Sequence, residues 1–291
     1  MGPSPSLRSV ALGWTLDPVA LIAIAAAGGL YLRGVRRLGG RGRRWPPART
    51  AAFAGGLAVL GVATCSGLAR YEADRFSLHA AQHALLGMFG PLLLALGAPV
   101  TLALQASSRS TQRALSKLVH SRPAGFLAHP VVAWLAFGGT LVALYATPLL
   151  EASLDNGLVH AAVHTHVVVV GALFCWVTVG VDPIRGRPPH AARLLSVALA
   201  LPFHAVVGLA LVGSEEVLAP GFYADLADQH AGGGVLWAAG ELFGLVAAGT
   251  VLAQWMSHDE RLARREDRRL DAARAGAREP GPAPRAGASP R

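Results

Sequence analysis

The chain has 291 residues, 53% hydrophobic and only 15% charged, with a mean hydropathy of +0.42 and a formal net charge of +9. Soluble domains carry about 25% Asp, Glu, Lys and Arg, so this chain falls short of the charge a water-facing surface needs, and the bilayer is the expected solvent. Two cysteines, Cys65 and Cys175, both inside apolar stretches, exclude a disulfide framework.

In chain order, seven windows are long and apolar enough to cross a membrane: residues 17–32, 50–69, 76–104, 130–147, 157–180, 191–213 and 231–255. The first ends in arginines and has no short apolar core followed by a small-residue cleavage site. It reads as a retained membrane helix, not a signal peptide. The third is too long for one straight helix; its Gly90-Pro91 and Gly97-Ala98-Pro99 predict a kink and an early exit at the second proline. Residues 105–128 predict a short helix along the cytoplasmic surface, with basic residues toward lipid headgroups. The expected organisation is an all-α membrane protein, a bundle of about seven transmembrane helices over residues 1–256. A basic cytoplasmic tail follows over 257–291, helical at first, then disordered around Glu279-Pro280-Gly281-Pro282.

The basic residues are unevenly shared. The connections after the first, third and fifth windows and the tail after Trp255 hold 23 of the 26 Lys and Arg, against Arg8, Arg70 and Arg75 in alternate segments. Cytoplasmic segments retain positive charge, which predicts the N-terminus outside and the C-terminus inside. The same asymmetry explains the pI near 10.8 without nucleic acid as a partner, since no aromatic residue interleaves the charges of the tail.

Polar side chains within a membrane are expensive, so each one needs a reason. His79 and His83 fall in the first two turns of the third window, and His160 and His164 in the first two turns of the fifth. Each pair is spaced i,i+4 and shares a helix face. Both windows run inward from the outer side, so the pairs lie at one depth and form a candidate metal site for copper or zinc. The competing reading of any one of them is a helix-packing histidine. His166 points about 160° from His164 and is left out. Auxiliary candidates are Asp228 as a carboxylate orienting an imidazole or a helix cap, His204 deeper in the sixth window, Cys65 near the outer end of the second, the thioether of Met88, and Glu241 in mid-membrane.

The run Phe76-Ser77-Leu78-His79-Ala80-Ala81-Gln82-His83, continuing through Gly90-Pro91 to Gly97-Ala98-Pro99, resembles the signature of the CtaG-type cytochrome c oxidase assembly factors, bacterial multi-span membrane proteins. Further matches are Tyr31-Leu32-Arg33-Gly34 with Trp45-Pro46, Tyr145-Ala146-Thr147-Pro148, His160 and His164, Asp182-Pro183, and Asp228-Gln229-His230-Ala231-Gly232. His230 departs from the family pattern. The resemblance spans residues 16–266. It implies a non-enzymatic chaperone-like role in maturing a haem–copper oxidase in the bacterial plasma membrane, handling copper on the outer face and passing it to an oxidase subunit. Two other readings stay open. A membrane cytochrome or redox enzyme would use His83 and His164 as axial ligands to haem. A copper permease would need ligands through the full depth, whereas here they cluster in the outer half.

Overall fold

A computed structural model describes residues 8–9 and 13–278, with side chains described to residue 271. It comprises two compact units, Met1–Val251 and Leu252–Arg291. Every regular element among the described residues is helical. Six helices are long and apolar enough to cross a bilayer, and a bent pair, Pro130–Ala146 with Leu149–Asp155 at 74°, makes the seventh. The protein is an all-α integral membrane protein. Outward-facing apolar side chains fit that solvent: Leu158 is 83% exposed and Val19 77%, which water would penalise and lipid chains do not.

The first span, Pro18–Gly39, starts where the Asp17 carboxylate accepts from the backbone N–H groups of Val19 (2.9 Å) and Ala20 (3.0 Å). The second, Pro47–Cys65, breaks at Ser66 and resumes as Gly67–Tyr71. The third runs from Phe76 to Ala106. Its kink takes a specific form: a π turn, Leu85–Phe89, directly before Gly90-Pro91, with the Gly90 N–H donating to the Leu85 carbonyl. The proline ring would clash with the carbonyl four residues back in a regular helix, and the wider turn relieves that. At the second proline the helix breaks but does not end. Ala98 takes a left-handed conformation (φ 52°) and the helix resumes as Pro99–Ala106.

The connection that follows holds two short helices, Arg109–Val119 and Arg122–Leu127, with Leu118 and Phe126 exposed beside the basic residues. The fifth and sixth spans are Gly157–Thr178 and His190–Val212. The last helix, Leu226–Arg278, carries the seventh span. Beyond the apolar stretch its charged residues pair along the helix, Arg264 with Glu260 (3.7 Å) and Arg269 with Glu266 (3.8 Å). The disorder expected from Glu279 onward lies outside the described residues.

The largest core cluster joins the third to seventh spans through Met88, Phe137, Phe174, Val197 and Phe243. Polar contacts then define two ends of the first unit. At one end, Arg41 donates to the Gln105 carbonyl (3.1 Å), Tyr31 to the Gly97 carbonyl (2.8 Å), Trp45 to Tyr31 (2.9 Å) and Arg185 to the His120 carbonyl (3.3 Å). At the other, Arg75 pairs with Asp225 (3.1 Å) and the Tyr223 hydroxyl donates to the Glu72 carbonyl (3.0 Å). The arginine-rich connections after the first, third and fifth spans thus meet at one end, as the charge pattern requires.

Candidate metal centre

The third and fifth spans pass close enough for glycine to meet glycine. A side chain on Gly171 would sit 2.0 Å from the Gly87 carbonyl oxygen, so only hydrogen fits at this crossing. Both helices then carry their histidines past each other at the end opposite the arginine-rich connections. His79 and His83 stack at 4.2 Å between ring centroids, and His160 and His164 lie at 4.1 Å. Across the helices His83 meets His164 edge-on at 5.1 Å, and His79 faces His160 at 6.5 Å. The structure therefore brings all four sequence-predicted imidazoles into one cluster.

The cluster is a ladder and not a tetrahedron. With metal–nitrogen distances of about 2.1 Å, two imidazoles on one tetrahedral ion have centroids about 5 Å apart. The cross-helix pair His83–His164 meets that spacing, the i,i+4 pairs are tighter, and His79–His160 is wider. The polar bookkeeping differs too. Both ring nitrogens of His79 and the Nε2 atoms of His83 and His164 are buried without a hydrogen-bond partner, whereas His160 is held on both sides. Its Nδ1 meets Ser153 Oγ and its Nε2 meets Glu72 Oε1, each at 3.1 Å. Buried polar atoms normally find partners, so a group of orphaned imidazole nitrogens fits a cation.

Glu72 was not among the sequence candidates. It sits in the connection between the second and third spans, outside every membrane window, yet its carboxylate folds onto the fifth span. Its Oε2 lies 3.6 Å from His164 Nε2 and has no hydrogen-bond partner. Glu72, His160 and His164 each offer a ligand atom within 4.8 Å of the others, with no other such group among the described residues. Gln82, between the two histidines of the third span, donates to the Ala63 carbonyl at 3.0 Å and ties the second span to the site.

The auxiliary candidates are placed as follows. Asp228 accepts from the Ser77 hydroxyl (2.6 Å) and backbone N–H (3.3 Å), so it anchors the start of the third span. Cys65 is buried with its sulfur 3.5 Å from the Thr64 hydroxyl, and its backbone carbonyl accepts from Thr15 (2.9 Å). Met88 and His204 line one apolar cavity together with Phe137, Leu236 and the cluster's own His83. His204 also contacts Phe137 at 5.4 Å and its Nδ1 faces the Ala200 carbonyl at 3.4 Å. Glu241 is half-buried in the last helix. His166 points away from the cluster and meets Thr140 at 2.9 Å, and His230 meets the Ser214 carbonyl at 2.9 Å.

Comparison with known proteins gives a consistent result. The family described as cytochrome c oxidase caa3 assembly factor (Caa3_CtaG) matches residues 29–258. An uncharacterized protein of Mycobacterium leprae is 35% identical over 274 residues, covering 89% of this chain and 42% of that protein. Uncharacterized proteins of Mycobacterium bovis and Mycobacterium tuberculosis are each 35% identical over 287 residues, covering 92% of this chain and 43% of theirs. The chain thus spans about two fifths of the length of the curated relatives it matches. No solved structure matches.

Proposed function

The chain belongs to the cytochrome c oxidase caa3 assembly factor family, and from that premise we propose that it serves oxidase assembly in a bacterial plasma membrane by carrying copper as cargo at the histidine cluster. His83 and His164 are the central ligands of this reading, with His79 and His160 nearer the membrane surface where metal is received. The recipient is a haem–copper oxidase subunit docking on the outer side of the bilayer. The observation that carries the reading is the cross-helix approach of His83 and His164 at 5.1 Å with both Nε2 atoms orphaned. Imidazole nitrogen is a ligand type suited to copper. A carrier must also release what it holds, and a ladder of partly matched imidazoles is better suited to exchange than a closed four-ligand cage.

The test is the copper content of detergent-purified protein. His83→Ala and His164→Ala should each lose copper while the chain still inserts and remains monodisperse. Stoichiometric copper in both variants would reduce the histidines to packing contacts and overturn the reading. The haem alternative separates in the same sample, because a bound haem gives an intense Soret band and the copper reading gives none.

A further inference from the structure

The closest convergence of donor atoms includes a carboxylate. Glu72 Oε1 is 3.1 Å from His160 Nε2, and Glu72 Oε2 is 3.6 Å from His164 Nε2. The second distance is too long for a hydrogen bond, and both atoms are buried without partners. Two donors each about 2.1 Å from a tetrahedral ion lie about 3.4 Å apart, which is close to that gap. His79 and His83 contribute no atom to this three-residue group.

The surroundings hold the three ligands in place. Ser153 Oγ engages His160 Nδ1 at 3.1 Å, leaving Nε2 toward Glu72. The Tyr223 hydroxyl donates to the Glu72 carbonyl at 3.0 Å. A partner on the far nitrogen of a ligating histidine fixes its ring and its tautomer.

We propose that Glu72, His160 and His164 form a divalent-cation subsite of their own at the mouth of the cluster, distinct from the more fully buried, nitrogen-only pair His79 and His83. One carboxylate with two imidazoles is a donor set for borderline divalent ions such as Zn²⁺ and Cu²⁺. His79 and His83 are 0% and 6% exposed and offer no oxygen ligand, so the two places on the ladder differ in chemistry. The inference rests on the copper reading for the position of the site, and its test is separate.

The experiment is calorimetric titration of Zn²⁺ into the full chain in detergent after stripping with a chelator. Wild type should bind Zn²⁺, and Glu72→Gln should weaken that binding about tenfold or more. The amide is isosteric and can pair with His160 Nε2 in either tautomer, through its oxygen or its NH2, so the local fold is kept. His160→Gln should give an independent loss of similar size, while His79→Ala and His83→Ala should stay within about threefold of wild type. The subsite is overturned if wild type binds no Zn²⁺, if Glu72→Gln and His160→Gln both bind it normally, or if His79→Ala loses as much as Glu72→Gln. Retained Zn²⁺ in Glu72→Gln together with lost copper in His83→Ala overturns the subsite and leaves the copper role standing. The converse pair of results overturns the copper role alone.

Discussion

The carboxylate of Asp182 accepts from the backbone N–H groups of Val100 (3.0 Å) and Thr101 (2.6 Å) and from the Thr101 hydroxyl (2.5 Å). It is 1% exposed, and it caps the helix that restarts after the left-handed Ala98. Arg187 in turn donates to the carbonyls of Gly180 and Asp182, fixing the connection that presents the carboxylate. Removing it strands three partly buried donors, so Asp182→Ala should destabilise the protein by about 1–3 kcal/mol. Thermal unfolding in detergent measures the loss. Copper content should be unchanged, because Thr101 lies 22 residues along the span from His79, about 30 Å away. At this scale the sequence yields some residues and hides others. The four histidines were legible because an imidazole inside a membrane window is costly and its i,i+4 spacing fixes a helix face. Glu72 was not, since it lies in a connection, and nothing in spacing tells which loop carboxylate will fold beneath a neighbouring span. The same holds for Ser153, which reaches His160 only because Leu149–Asp155 turns back toward the fifth span.

The crossing of the third and fifth spans decides whether the two histidine pairs meet. Gly171 abuts the backbone of Gly87 within the π turn, and Gly87 in turn faces Val167. Gly171→Ala must push the helices apart, because backbone atoms cannot rotate away as the end of a side chain can. Overpacking of this kind costs about 1–3 kcal/mol. His83 and His164 sit one to two turns from that contact, so the same variant should lower copper affinity about tenfold or more, one decade being about 1.4 kcal/mol. Gly139→Ala, which meets nothing within 4 Å, serves as the control and should keep both stability and copper. Most spans were readable to within a few residues, because uncharged apolar runs bounded by arginine and proline leave little choice, while the first helix runs on to Gly39 and the last to Arg278. The form of the kink was not readable. A proline inside a helix demands relief, but whether a π turn, a break or an exit supplies it depends on what packs alongside, and here Leu60 presses on Gly90 and Val167 on Gly87. The fourth window, residues 130–147, matches the helix Pro130–Ala146, and the 74° turn into Leu149–Asp155 lies just beyond it.

Across the whole first unit, the two ends are chemically opposite. The connections rich in arginine gather at one end through Arg41, Arg185 and the Tyr31–Trp45 pair, while the histidine cluster, Glu72 and the Arg75–Asp225 bridge occupy the other. Cytoplasmic segments retain Lys and Arg, so we infer that the arginine end faces the cytoplasm and the histidine end faces outward. The proposed hand-over of copper depends on this, because a cluster on the inner face would be sealed from a recipient outside. Single cysteines read the orientation directly, since Cys65 and Cys175 are both buried and contribute little background. Glu215, exposed in the connection before the last helix, and Gln112, exposed on the helix Arg109–Val119, lie at opposite ends. Glu215→Cys should react with a membrane-impermeant maleimide in intact cells, and Gln112→Cys only after permeabilisation. The reverse pattern would place the histidines on the cytoplasmic side and overturn the proposed hand-over to a recipient outside.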